Sequence, residues 1–191
     1  MTLRRSPPLA ANRYVPRFVL FETAVANKQN FTPEKWTKVL ESTMLAGIAV
    51  SQADPSGLWG TLKEYFANTS ALDPSKLDPD SSELIKAVIA DFETAKGRSD
   101  LQKAVSRRFA DVTEPAQCVQ RSLAGLREVS AILDANAASD AAAFKAWLRG
   151  ISQKVAEAAV EGGFLGFGGV RVSDAEKATL DDIAKALGTA A

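Results

Sequence analysis

The fold class follows from the stretch Ser139–Val155, which reads SDAAAFKAWLRGISQKV. Its large apolar side chains recur every three or four residues, as in Phe144, Leu148 and Ile151. This spacing places them on one face of an α-helix, with Lys145 expected on the opposite, solvent-facing side. The stretch therefore predicts an amphipathic helix that packs against its neighbours through one face.

The same spacing recurs along the chain and predicts about seven amphipathic helices. Thr32–Glu34 is typical of a helix start, because a capping hydroxyl precedes a proline and an acid in the first turn. Ser173 and Glu176 have the spacing of a capping box, which indicates the start of the last helix. Gly188 is expected to end that helix.

Three further expectations concern single elements. In the helix that follows Thr32, Lys35, Lys38 and Glu41 are expected on the polar side, opposite the apolar face. A helix over 58–66 is expected after the turn at 54–57, and Gly97 is expected to end the helix that begins near Leu84.

Alternating β-type runs are nearly missing from the sequence, so the whole pattern predicts one all-α domain over residues 21–191. Residues 1–20 contain Arg4, Arg5, Arg13 and Arg17 and no acid. Three prolines interrupt this segment, which predicts an irregular basic tail whose residues before about Arg17 are dispensable for folding.

The amino-acid composition argues against several classes of function. The chain has 23 Lys plus Arg and 23 Asp plus Glu, so its formal net charge is zero. A protein that neutralises nucleic-acid phosphates usually has a basic excess, so nucleic acid is not an expected partner. No apolar run approaches the roughly 18 residues of a membrane span, and we expect a cytoplasmic protein without a transmembrane segment.

The chain contains no histidine and one cysteine. This composition excludes Ser-His-Asp and Cys-His catalysis and histidine-ligated zinc, and it leaves only oxygen ligands for a metal. We therefore expect no catalytic residues, no metal and no cofactor. Cys118 lies on a helical stretch and is expected to be a buried, inert thiol.

The most unusual segment is the glycine-rich stretch over 162–172, in which five glycines alternate with apolar residues. It matches neither the Walker nor the dinucleotide-binding pattern of glycines. Packing of its apolar side chains into the core explains the segment and is the favoured interpretation. The alternative is a surface that contacts a partner or ligand. Its candidate residues are Phe164, Leu165, Phe167 and Arg171.

A second candidate site is the turn that begins at Asp54, followed by Trp59. Turn chemistry alone accounts for this segment, and contact with a partner is the alternative. The four cations Arg98, Lys103, Arg107 and Arg108 form a small basic face, which we expect to be solvated.

The seven-helix pattern, together with Glu161-Gly162-Gly163 leading to Ser173-Asp174-Ala175-Glu176, resembles the TerB-like, tellurite-resistance-type helical proteins of bacteria. The resemblance is specific in the C-terminal third and implies a small bacterial helical protein. The corresponding turn of that family usually carries Asp-Gly and further acids suited to a metal. In this chain an apolar insertion follows Glu161, so the resemblance does not extend to metal binding.

Three function hypotheses follow, in order of preference. The first is a non-enzymatic interaction or stress-associated protein that contacts an unknown protein partner through residues 162–172. The alternative is a protein that binds a small molecule or lipid in an apolar cavity lined by Trp36, Trp147, Phe164 and Phe167. An enzyme ranks third, since it would depend on carboxylate or tyrosine chemistry, with Tyr65 as the candidate. The oligomeric state does not follow from the sequence.

Overall fold

The computed structural model describes residues 26–53, 81–161 and 172–189. A single 3-10 turn, Lys28–Asn30, precedes six α-helices in these ranges. The helices are α1 Pro33–Ser51, α2 Glu83–Glu93, α3 Ala95–Arg108, α4 Pro115–Asn136, α5 Ala138–Glu161 and α6 Asp174–Leu187.

The all-α fold class is confirmed, with six helices in the described ranges rather than about seven. The remaining expected helix, over 58–66, and the predicted tail over 1–20 lie outside the described residues. None of the helices in the described ranges combines the length and apolar character that crossing a membrane would require.

Helix ends form where the capping chemistry predicts them. The Thr32 hydroxyl accepts a hydrogen bond from the Lys35 amide at 3.3 Å. At the start of α6, Ser173 and Glu176 exchange side chain-to-backbone hydrogen bonds of 3.2 and 2.7 Å. Gly188 follows α6 with a φ of +67°, the left-handed conformation that favours glycine. These three predictions are confirmed.

The prediction that Gly97 ends a helix is wrong. The chain changes direction at Thr94, whose ψ of 145° is extended, and Thr94 caps α3 by accepting a hydrogen bond from the Gly97 amide at 2.9 Å. Gly97 lies in the first turn of α3, where a Cβ atom would come within 2.0 Å of the Asp91 carbonyl oxygen. Glycine is needed there because α2 and α3 approach each other closely.

Helix α1 lies at the centre of the bundle and contacts α3, α4, α5 and α6. From Val39 to Val50 nearly every side chain is buried, including Leu45 and Ala46. The buried Ser152 hydroxyl of α5 donates a 3.0 Å hydrogen bond to the Ala46 carbonyl oxygen. In the sequence this helix becomes apolar all round toward Val50, which predicts that its second half is central in the core, and the burial of these residues confirms this prediction.

The prediction that Lys145 faces solvent is wrong. Its side chain is 10% exposed and its ammonium group donates to both carboxylate oxygens of Asp134, at 2.7 and 2.8 Å. Because α4 and α5 are joined by a very short connection, their ends lie side by side. The Lys145 stem is therefore covered by the bundle while its charged end reaches Asp134.

Candidate functional site: a basic cleft beside the first helix

An open cleft of about 700 Å³ lies between the first half of α1, the outer face of α3 and the start of α4. We call it the basic cleft. The charged residues that line it are Glu34, Lys38, Glu41, Asp100, Lys103, Arg107, Arg108 and Arg121. Its volume is within the range of sites that hold small molecules.

A buried ion pair between α1 and α3 forms the floor of the basic cleft. Arg108 Nε and Nη2 donate to the two carboxylate oxygens of Glu41 at 2.7 and 2.8 Å. The Glu41 side chain is 4% exposed and the Arg108 side chain 18%. The hydrogen bond to Glu41 is the largest cause that raises the pKa of Arg108 above its usual value. Such a bidentate ion pair fixes the guanidinium in position.

This ion pair overturns two sequence predictions. Glu41 was expected on the polar side of α1, and Arg108 in a solvated basic face. The bundle buries Glu41 and partly buries Arg108, because α3 crosses over the side of α1 that carries Glu41. The sequence signal for this burial is the run of apolar residues that begins at Met44, about one turn after Glu41.

The absence of a side chain at Gly125 of α4 makes room for Arg108. A Cβ atom on Gly125 would lie 2.4 Å from Leu45 Cδ1 and 3.0 Å from Arg108 Cζ. Helices α1 and α4 therefore approach closely at this glycine, and the guanidinium lies against it. Glu128 Oε2 is 3.7 Å from Arg108 Nη2 and 3.2 Å from Lys38 Nζ, which extends the network toward solvent.

A second arginine supports the end of α3. Arg121 Nη1 donates to the Arg108 carbonyl oxygen at 2.7 Å. The same guanidinium contacts both carboxylate oxygens of Asp111, at 2.6 and 2.9 Å. The hydrogen bond from Arg121 is the largest cause that lowers the pKa of Asp111 below its usual value. Arg121 is therefore largely committed to structural contacts.

Two cations on α3 have no such commitment. Lys103 and Arg107 are exposed and lie one helical turn apart, and within the described part of the chain neither forms an ion pair. Arg107 Nε donates to the Lys103 carbonyl oxygen at 3.2 Å, which leaves the terminal nitrogens of its guanidinium available. The small side chain of Ala104 lies on the same side of α3. This arrangement can hold an anion.

Sequence reasoning found these two cations but interpreted them only as a solvated face. Its own site candidates, Phe164, Leu165, Phe167, Arg171, Asp54 and Trp59, all lie outside the described residues. Contact through the glycine-rich stretch therefore stays a prediction. The sequence signal for this pair is the spacing of Lys103 and Arg107 at i and i+4, which places both side chains on one side of the helix.

The two tryptophans of the apolar-cavity hypothesis that the structure describes are packing residues. Trp36 is 3% exposed, and its Nε1 donates to Asp91 Oδ2 at 2.7 Å. Its ring also packs against Phe31, with ring centroids 5.6 Å apart. Trp147 packs edge-on against Phe144 at 5.2 Å. Neither tryptophan lines the basic cleft.

A smaller cleft of about 420 Å³ lies between α5 and α6. Arg149, Lys177 and Asp181 line it, together with Gly150 and the half-buried Leu180. Lys177 donates to Asp174 at 3.0 Å, and Asp181 brings a negative charge to the same wall. Charges of both signs are thus mixed along this cleft, which makes it a weaker candidate for a charged ligand.

In the part of the chain that the structure describes, no three Asp, Glu or Cys side chains are grouped so that they would hold a metal ion. Cys118 is partly buried, and burial raises the pKa of its thiol, which disfavours the reactive thiolate.

Comparisons with protein-family models, curated proteins and solved structures find no match. The geometry of the cleft is therefore the basis for proposing a function.

Proposed function

We propose that this chain is a non-enzymatic binding protein that holds a small acidic ligand in the basic cleft. One observation carries the proposal. Lys103 and Arg107 present two cations that form no ion pair in the described structure, above a floor fixed by the Glu41–Arg108 pair. A ligand of opposite charge would gain from both cations without breaking an existing ion pair.

The rigidity of the floor supports binding of a ligand with a defined shape. Arg108 is held by Glu41, by the close approach of Gly125 and, through its backbone carbonyl, by Arg121. Groups that are already in place when the ligand arrives lose less conformational freedom on binding. The ordering cost then falls mainly on the exposed Lys103 and Arg107 side chains.

The same contacts argue against acid–base catalysis in the cleft. Both oxygens of Glu41 accept hydrogen bonds from Arg108, so this carboxylate is not available to take a proton from a substrate. Lys103 and Arg107 are exposed cations with ordinary roles in charge recognition. No histidine is present in the chain to act as a base at neutral pH.

Thermal unfolding at low ionic strength tests the proposal. We expect an acidic ligand such as citrate or glycerol phosphate, at about ten times its Kd, to stabilise the protein by roughly 1.4 kcal/mol, or about 3–6 °C. Glycerol is the uncharged control. A ligand screen that yields no stabilisation by any anion would refute the proposal.

Matched variants assign the effect to the cleft. The double variant Lys103→Gln, Arg107→Gln should lose the stabilisation by anions while unfolding at nearly the same temperature without ligand, since both side chains are exposed. The control is Arg127→Gln, Lys154→Gln, which removes the same charges from exposed positions outside the cleft. Equal loss of stabilisation in both double variants would mean that the anion acts through overall charge.

A further inference from the structure

The charge left over in the basic cleft indicates which kind of anion fits. Four cations in and around it are paired: Arg108 with Glu41, Arg121 with Asp111, Lys38 with Glu128, and Lys96 with Asp100. Glu34, the remaining acid of the lining, accepts hydrogen bonds from its own backbone and from Thr32 at the start of α1. The cations left for a ligand are Lys103 and Arg107. Lys103 forms no ion pair in the described structure, although its charge helps to lower the pKa of Asp100.

The spacing of these two cations matches one compact dianion. Side chains at i and i+4 have Cβ atoms about 6 Å apart on a helix surface. A phosphomonoester carries about 1.5–2 negative charges at pH 7 on three acceptor oxygens, enough to contact both side chains at once. A single carboxylate neutralises only one of them.

The chemistry of the two side chains also favours a phosphate over a carboxylate. The terminal nitrogens of Arg107 form a planar fork that can donate two parallel hydrogen bonds to phosphate oxygens. The Lys103 ammonium is a compact charge on a flexible stem. Ala104, on the same side of α3, adds no bulk that would keep the ligand from the helix surface.

We propose that the basic cleft binds a phosphomonoester dianion through Lys103 and Arg107, whether the phosphate belongs to a small soluble molecule or to a lipid headgroup. This inference rests on the proposed function and narrows it from acidic ligands in general to one class. The phosphate lies across the outer face of α3, and the rest of the ligand extends along the first half of α1.

The lack of histidine makes the pH dependence of binding diagnostic. A phosphomonoester loses its second proton near pH 6. The titratable groups that line the cleft around Lys103 and Arg107 include no histidine, the side chain that ordinarily changes charge between pH 5 and 8; they are Glu34, Lys38, Glu41, Asp100, Arg108 and Arg121. Hydrogen bonds lower the pKa of both Glu34 and Asp100, which moves their titration away from that of the phosphate.

The experiment is calorimetric titration of the full chain at low salt. Glycerol phosphate should bind more tightly than the monoanion acetate and the dicarboxylate succinate. Its affinity should fall on the order of tenfold from pH 7.5 to 5, as the dianion becomes a monoanion. Sulfate, a dianion throughout this range, should show no such fall. A matching fall for sulfate would show that a protein group titrates and would overturn the inference.

Substitutions at Lys103 and Arg107 test whether these two side chains bind the phosphate. Lys103→Gln and Arg107→Gln should each weaken glycerol phosphate binding several-fold, and the double variant on the order of a hundredfold. Arg107→Lys should restore only part of the affinity, since lysine has no planar fork. Unchanged affinity in the double variant, with circular dichroism showing that it folds, would overturn the inference.

Further binding experiments distinguish a soluble phosphate from a lipid headgroup. They also distinguish the phosphate preference from the proposed function on which it rests. Sedimentation with vesicles containing phosphatidic acid, if it depends on Lys103 and Arg107, supports the phosphomonoester chemistry and assigns it to a lipid headgroup. Succinate or citrate that binds more tightly than glycerol phosphate through the same residues would overturn the phosphate preference and leave the proposed function standing. Affinity for a single-stranded oligonucleotide that grows with its length would overturn the inference. If no anion binds to the protein, both proposals are overturned.

Discussion

The ion pair between Glu41 and Arg108 supplies the sharpest test of the architecture of the cleft. Glu41→Gln keeps the shape of the side chain and one acceptor oxygen but replaces the other oxygen with a donor. That amide nitrogen would face Arg108 Nη2, so a 2.8 Å hydrogen bond becomes a contact between two donors. The buried guanidinium also loses its closest counter-charge, since Glu128 is 3.7 Å away.

The size of the effect follows from the two bonds and their exposure. A hydrogen bond to a charged group contributes about 1.5–3 kcal/mol, and breaking a fully buried ion pair costs about 3–5 kcal/mol. Glu41 is 4% exposed but Arg108 is 18% exposed, so water compensates the arginine in part. We expect Glu41→Gln to lower the free energy of unfolding by about 2–4 kcal/mol. A value of about 3 kcal/mol corresponds to a melting temperature about 6–12 °C lower.

Urea denaturation followed by circular dichroism measures the change, and Glu128→Gln is the matched control. Glu128 faces the same guanidinium, but its side chain is 48% exposed, so the same substitution should cost less than about 1 kcal/mol. Replacing both buried partners, as in Glu41→Met with Arg108→Met, should recover most of the loss because no unpaired charge remains. A cost below about 1 kcal/mol for Glu41→Gln would refute the idea that a buried pair forms the floor.

Three further predictions concern packing, capping and pH. Gly125→Ala should destabilise by about 1–3 kcal/mol, because its methyl group would overlap buried Leu45. Gly150→Ala, where a methyl group meets nothing within 4 Å, should instead stabilise by about 0.5–1 kcal/mol in the same urea assay; a similar loss at both glycines would contradict this assignment. Ser173→Ala should cost about 1 kcal/mol through loss of the α6 cap, and an unchanged unfolding midpoint would speak against the capping box. Stability should be nearly flat from about pH 6 to 8, because no histidine titrates. It should fall in acid as carboxylates such as Asp111 protonate. The pKa of Asp111 is lowered in the folded state, so its contribution is present above its unfolded pKa and is lost as the pH falls through the folded one. Arg121→Gln should weaken this acid dependence, and an unchanged pH profile would contradict the role of the pair.

Helix class, caps and the central position of α1 were accessible from the sequence because they depend on neighbours within one or two turns. The period of apolar residues in Ser139–Val155, the hydroxyl of Thr32 and the glycine at 188 act through local backbone geometry. Prediction from local sequence was wrong at Gly97, where a residue with low helix propensity lies close to a helix-capping residue. Gly97 is a strong helix breaker by propensity, yet the Thr94 cap determines where the chain turns.

The basic cleft was decided by tertiary structure alone. Glu41 and Arg108 are 67 residues apart in sequence, and nothing in either local pattern pairs them. Lys145 also looks like an exposed residue until α4 and α5 lie side by side. Charged side chains become buried only when a helix from elsewhere in the chain brings the opposite charge and removes the water. Periodicity in one helix therefore determines which faces turn inward, whereas the crossing of α1, α3 and α4 determines which charges remain for a ligand.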